Sequence, residues 1–450
     1  MKSLMLLLNF ILFFITAMLL FFDVGNVFVS IFSIVVIILI FATFKNAHGN
    51  LLSFGFVFIA YNILMHFGFG IIHFLISDTI ARKIYASWTL AFLGSERYSL
   101  AIIISALAFE AFTIAWLLGL DKRQLRQTCD VSEGSTREIK EKEACYTIGI
   151  LMLLITLFYF IYLLLIGRMS FSMSYMDYRN SVMQGNAIYS WLLVFYATGL
   201  LYVVASSDGK KRLFGIILFI ATAAIFLVTG NKGEVFYAVL ATFGVLGYQK
   251  KKLNPELMIL LCIIMFVVIP IVTSARSSSV IGDFSLKFAS LTDPFLEIGM
   301  QIRCLVYSLD GVANERYSLM YGYSYFRPIC EALGSLLFPL KYLPEIPIDL
   351  VSSKSDFSGM GFSQVAEGYL NMGIFGSVLV FVIQGYIWGK MEFRYMNSRK
   401  LCFVGSVLVI LINCSRNTFI FVPGQITVML ILYYVAKMVS KIRVKIRIRG

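Results

Sequence analysis

Apolar residues run through this chain in blocks of about twenty, separated by short polar stretches. Twelve such blocks can be placed, at about 4–22, 27–44, 51–76, 98–120, 146–167, 188–206, 213–230, 235–248, 257–273, 366–388, 401–414 and 418–436. A helix needs roughly twenty apolar residues to cross the hydrocarbon core of a bilayer. The pattern therefore predicts an all-α, polytopic integral membrane protein with about 12 transmembrane helices. The first block is too long for the apolar region of a signal peptide, and the residues after it, Asp23-Val24-Gly25-Asn26, offer no small-residue cleavage site. It is expected to remain as a first helix.

The one long interruption is residues 274–365. It holds seven Lys/Arg and nine Asp/Glu, too many charges for hydrocarbon, so it is expected to lie on one side of the bilayer. Three regions follow: a nine-helix membrane region at 1–273, with a charged connector at 121–145; the large loop at 274–365; and a three-helix membrane region with a basic tail at 366–450. Inside the loop, Asp293-Pro294 is a helix start, an N-cap acid followed by proline at the first helical position. Phe295, Ile298, Ile302, Leu305, Val306 and Leu309 follow at helical spacing. They predict one amphipathic helix lying at the membrane surface. Residues 321–345 read as short interfacial pieces. The tail, Lys441 to Arg449, alternates basic and apolar residues, which predicts an extended segment drawn to anionic lipid.

Composition and charge sharpen this picture. The chain is 59% hydrophobic and 14% charged, against roughly 25% charge in soluble proteins. The net charge of +13 does not point to nucleic acid, because the basic residues cluster in short segments between apolar blocks. With both termini in the cytoplasm, 24 of the 38 Lys/Arg fall in short inner segments and 7 in short outer ones. The loop at 274–365 is then on the outer face, which is periplasmic for the inner membrane of a bacterium. Of the seven cysteines, Cys304 and Cys330 fall in that loop. They read as lone thiols, with pairing open if the loop faces an oxidising compartment.

The chain has no HExxH, Walker A, GxSxG or Asp-x-Asp motif, and His48, His66 and His73 form no ligand cluster. Neither a metal, a cofactor nor ATP hydrolysis is expected. What remains is a set of outer-face cations. Lys232 lies in the turn Gly230-Asn231-Lys232-Gly233-Glu234 at a helix start, and Arg416 precedes the last block. A helix N-terminus with a cation suits phosphate. Arg168 and Arg179 bracket the loop after the fifth block, Arg276 follows the ninth, and Arg303 and Arg327 lie in the large loop. Lipid anchoring explains any one of them; the set suggests a polyanionic headgroup, which arginine grips bidentately. Two acids stand apart. Glu367 heads the tenth block, with Asn371 four residues on and on the same face, among Gly368, Gly373 and Gly376 that let a helix or ligand come close. Glu110 lies deep in an apolar run with no partner to name. His66 and His73 share a helix face and read as packed residues, with His73 open as a base.

Gly230-Asn231-Lys232-Gly233-Glu234, Ser274-Ala275-Arg276, the run from Glu367 to Gly376 and the large loop before the last helices carry a resemblance. The chain resembles the Wzy-type O-antigen polymerases, or oligosaccharide repeat unit polymerases. The resemblance implies a GT-C-like, metal-independent glycosyltransferase using undecaprenyl-diphosphate-linked oligosaccharides. It implies Glu367 and Arg276 as catalytic residues. Lys232, Arg276, Arg303, Arg327, Arg168, Arg179 and Arg416 would hold diphosphate, and Asn371 would bind substrate. Membrane lipids, a chain-length regulator protein and a flippase are the implied partners. The alternatives are an O-antigen ligase and a lipid-linked oligosaccharide flippase or transporter.

Overall fold

The computed structural model describes residues 2–49, 51–76, 97–120, 136–170, 173, 175–183, 186–228, 233–249, 293–333, 345–346, 348, 350, 357 and 361–448. No strand occurs among them. In chain order the helices are α1 (Lys2–Leu19), α2 (Asn26–His48), α3 (Phe54–Ile71, prolonged by a π-turn), α4 (Arg97–Gly119), α5 (Thr136–Leu165), α6 (Ala187–Ser206), α7 (Gly209–Val228), α8 (Gly233–Tyr248), α9 (Asp293–Gly299), α10 (Ile302–Ala313), α11 (Tyr323–Leu333), α12 (Gln364–Glu392), α13 (Ser398–Cys414) and α14 (Val422–Ile448). Eight helices among the described residues are long and apolar enough to cross a membrane. The protein is an all-α, multi-pass membrane protein. The expected block at 257–273 and the connector at 121–135 lie outside the described residues.

Two compact units form. The first comprises residues 1–126, 291–394 and 411–424. Its centre is α4, apolar on every side and buried almost throughout, as a helix without a polar face must be. Helices α1, α2, α10 and α12 pack around it. Gly385 and Gly389 of α12 face the Phe112 and Trp116 carbonyls of α4, where any side chain would collide with backbone. Small residues at such a seam let two membrane helices approach closely. Phe58, Phe109, Phe112 and Phe381 fill the space beside it, with ring centroids 5.4–6.4 Å apart.

The second unit comprises residues 127–290, 395–410 and 425–450. Helix α5 packs on α6 through Gly149 and Gly199, and α7 and α8 pack beside them. Helix α5 starts ten residues before the expected apolar block. Its first turns carry the i,i+4 pairs Arg137–Glu141 and Glu138–Lys142, which support helix in a charged stretch. Glu141 is buried there and accepts from Asn397 Nδ2 at 2.5 Å, which ties this end of the charged connector into the second unit.

Two further expectations are corrected. The amphipathic stretch from Asp293 is two helices, α9 and α10, broken at Met300 and Gln301. Its apolar residues Leu296, Ile302, Cys304, Leu305, Val306 and Leu309 are buried against α3, α4 and α12 rather than turned to lipid. Gly299 against the Gly68–Phe69 backbone permits the approach. The basic tail is helical to Ile448. An apolar helix already formed upstream supplies the nucleus, so extension is cheap for Lys and Arg.

Candidate active site

Helix α12 is not one rod. Met372 (φ −145°, ψ 31°) and Gly373 (φ 61°, ψ −152°) break it, and Gly373 occupies a region open essentially to glycine alone. The limbs, 364–371 and 374–392, fold back on each other. Ser377 Oγ donates to the Val365 carbonyl at 2.8 Å, and Gly368 lies against the Gly376 carbonyl and Ser377. The long limb of 19 residues rises about 28 Å, close to one bilayer core. The short limb runs beside its first half. The helix expected at 366–388 is therefore a helical hairpin; of the three glycines expected to admit close approach, Gly368 and Gly376 admit its own other limb, while Gly373 makes the break.

Both ends of the short limb are satisfied. Ser363 caps it, its Oγ accepting from Ala366 N. Ser363 in turn faces His66 Nε2 at 3.0 Å, and His66 Nδ1 faces Ser105 Oγ at 2.8 Å. Because Ser105 donates to the Ala101 carbonyl, its oxygen must accept from Nδ1–H. Nε2 then accepts from Ser363. At the other end, the break frees carbonyls that Met320 N and Tyr321 N take up, from Leu370 and Asn371 at 2.9 and 2.8 Å. Broken helices at membrane depth persist only where neighbours meet the freed groups in this way.

Glu367 projects from this limb and is fully buried. One carboxylate oxygen accepts from Ser324 Oγ at 2.8 Å, the other from Phe419 N at 2.8 Å. Asn371 Nδ2 donates to Ser324 Oγ at 2.8 Å and to the Glu367 carbonyl at 2.7 Å. Glu367 thereby ties three segments, at 324, 367–371 and 419. Each oxygen keeps a lone pair beyond its single bond, enough to accept one more proton or hydrogen bond.

Just before the short limb, residues 361–363 form a strap. Phe362 N donates to the Arg416 carbonyl at 2.7 Å, and Gln301 Nε2 donates to the Phe362 carbonyl at 2.5 Å. Arg303 and Arg416, far apart in sequence, both act on the Cys304 thiol beside this strap. Burial pushes that thiol up to about 12, against the pull of the two guanidinium charges. So Glu367, Asn371, Arg303 and Arg416 belong to one unit, with the two arginines beside the strap that leads to Glu367.

Arg327 is also in this unit, but on its surface, paired with Glu331 at 2.7 Å. Arg168 is exposed and Arg179 half-buried, both in the second unit. Lys232 and Arg276 lie outside the described residues. Among the described residues no group of His, Cys, Asp and Glu is arranged to hold a metal ion. Cys304 and Cys330 are free, buried thiols. Glu110 does have a partner, Thr16 Oγ1 at 2.9 Å. His73 is packed between Phe69 and Phe74. Sequence reasoning missed Ser324, His66 as a tether, and Ser363. Only Ser363 carried a readable signal, a serine just before an apolar helical run.

The fold and this site define a class: a multi-pass helical membrane protein with a buried acid on a broken helix beside clustered arginines. A family model described as O-antigen polysaccharide polymerase Wzy matches residues 3–445, and the chain belongs to that family. It is also similar to Protein CapE of Staphylococcus aureus, 31% identical over 291 residues. That similarity covers 63% of this chain and 63% of CapE. No solved structure matches.

Proposed function

We propose that the protein joins undecaprenyl-diphosphate-linked oligosaccharide repeat units into a polysaccharide, as a metal-independent glycosyltransferase at the outer face of the bacterial inner membrane. The family match supports polymerisation. The excess of basic residues in short segments on one side supports cytoplasmic termini and an outer working face. The single observation that carries the chemistry is the buried Glu367 carboxylate, held by Ser324 and Phe419 in the same unit as Arg303 and Arg416.

In this reading an acceptor sugar hydroxyl attacks the anomeric carbon of the donor chain. The new C–O bond forms as the bond from that carbon to the diphosphate breaks. Glu367 takes the hydroxyl proton, a general-base role. Arg303 and Arg416, with Arg276 and Lys232, hold the diphosphates and stabilise the one that departs. Arg168 and Arg179 would hold diphosphate or lipid headgroups on the second unit. Asn371 fixes the acceptor.

Gene deletion tests the reading. A polymerase loss still allows one repeat unit to be flipped and transferred, so the surface glycan should stop at a single unit. Glu367→Gln should reproduce that glycan with protein level unchanged. Absence of any repeat unit at the surface of the deletion strain would overturn the reading in favour of a flippase or ligase.

A further inference from the structure

Among the described residues, three buried polar atoms on the segments that Glu367 ties together have no hydrogen-bond partner: Asn371 Oδ1, Tyr325 Oη and Thr418 Oγ1. Asn371 is fully buried and Thr418 is 3% exposed. Each sits next to a residue already on Glu367. Tyr325 follows Ser324, Thr418 precedes Phe419, and Asn371 bonds Ser324 itself. The Tyr325 ring also stands edge-on to Phe419, with centroids 5.2 Å apart.

The Asn371 amide cannot be turned round to hide the deficit. Its Nδ2 faces the Glu367 carbonyl, which can only accept, so Oδ1 must be the atom left over. Buried polar groups are nearly always paired. Three unmet ones on the segments tied by a single carboxylate make an unfilled hydrogen-bonding set. Its inventory is one obligate acceptor, two hydroxyls that donate or accept, and the spare lone pairs of Glu367. Burial and the nearby Glu367 charge hold the Tyr325 phenol well above its usual range, so it keeps its proton and can donate. The carboxylate and the acceptor amide disfavour phosphate here. Neighbouring hydroxyls on a neutral sugar fit, one donating to Asn371 Oδ1 while its neighbour accepts from Tyr325 or Thr418. The outside is close: Tyr321, whose N–H takes the Asn371 carbonyl, is 83% exposed.

We propose that Asn371 Oδ1, Tyr325 Oη and Thr418 Oγ1 form the acceptor subsite, taking neighbouring hydroxyls of a neutral sugar and presenting one of them to Glu367. This rests on the polymerase reading above. Tyr325 and Thr418 are then substrate-binding residues, and the short limb of the broken helix carries Asn371 to the same Ser324–Glu367 cluster.

The test uses purified full-length protein in detergent and the single lipid-linked repeat unit extracted from the deletion strain. Tyr325→Phe and Thr418→Val remove unmet hydroxyls, so their melting temperatures should equal or exceed that of the parent. Their KM for the single unit in chain extension should rise about tenfold. Ser324→Ala, which strips a bonded hydroxyl, should instead lower the melting temperature. An unchanged KM in both variants, or a lowered melting temperature in both, overturns the subsite. If the parent protein extends no chain, the polymerase reading itself fails and the acceptor role falls with it; an active parent with unaltered variants sinks the subsite alone.

Discussion

Gln384 Nε2 donates to Gln364 Oε1 at 3.0 Å, although twenty residues separate them within what reads as one helix. A straight α-helix would hold them about 30 Å apart. The bond exists because the chain reverses at Met372 and Gly373. It sets Gln364, and the strap just before it, level with the middle of the long limb. The acid that sequence placed at the head of a membrane helix therefore sits inside the helix packing, one turn above that strap.

A cysteine pair checks the reversal directly. In a background with the native cysteines replaced, Gln364→Cys with Gln384→Cys should be bridged in membranes by a short thiol cross-linker. The bridge is read as protection from a thiol-mass label. No bridging, with each single cysteine reactive after unfolding, would mean a straight helix.

Two glycines of the hairpin, Gly373 and Gly376, should fail for different reasons. At Gly373 a Cβ meets open space, but the positive φ remains, so Gly373→Ala should lose about 1–3 kcal/mol from backbone strain. At Gly376 a Cβ would collide with the Gly368 carbonyl. That atom is backbone and cannot swing away, so Gly376→Val should be the worse of the two. Thermal unfolding in detergent gives the order, and equal melting temperatures would contradict the packing.

His66 and Ser363 should be coupled. Ser363 caps the short limb and donates to His66 Nε2, while His66 donates to Ser105. His66→Phe and Ser363→Ala each leave a buried partner unmet, and the double variant removes both sides of the bond. The double-mutant cycle should show roughly 0.5–3 kcal/mol of interaction. Strict additivity would mean that His66 merely fills space.

Much of this architecture was legible in the sequence, and the failures share a cause. Apolar block length marked each expected helix that falls within the described residues. Glu367 and Asn371 were readable as an i,i+4 pair, and they do share one environment. The hairpin was not readable. The run from Gln364 to Glu392 has helical composition throughout, and a glycine inside a membrane helix usually marks packing rather than reversal. The packing of α9 and α10 was hidden too. A helix with one apolar face looks the same whether that face meets lipid or protein, and Gln301 gave no sign that its amide would bond residue 362. Ser324 joined the site through a 43-residue separation that no local pattern encodes.

Cys304 should impose a pH dependence at the alkaline end. Its thiol is held from an ordinary value of 9.0 up to about 12. Between those values the folded protein keeps a proton that the unfolded chain has lost, so stability falls as pH rises. The contribution is intact below about pH 9 and declines above it, by at most about 1.4 kcal/mol per pH unit. The drop in melting temperature from pH 8 to pH 10.5 should be smaller in Cys304→Ala than in the parent. An equal drop would mean that the thiol is solvated and titrates normally.

The last prediction separates the arginines. Arg303 and Arg416 both bear on Cys304 beside the strap that leads to Glu367, whereas Arg327 is half-exposed and paired with Glu331. A cation already matched by a surface carboxylate has little field left for a second anion, and such pairs add little to stability. If the first two hold diphosphate, Arg303→Ala and Arg416→Ala should each abolish polymer while the protein still accumulates. Arg416→Lys should restore it only in part, because lysine keeps the charge and loses the two-pronged geometry. Arg327→Ala should leave the glycan ladder nearly intact. The ladder on a gel, normalised to protein level, reads all four variants at once. A normal ladder in Arg416→Ala, or one lost only in Arg327→Ala, would move the diphosphate away from the strap and detach it from Glu367.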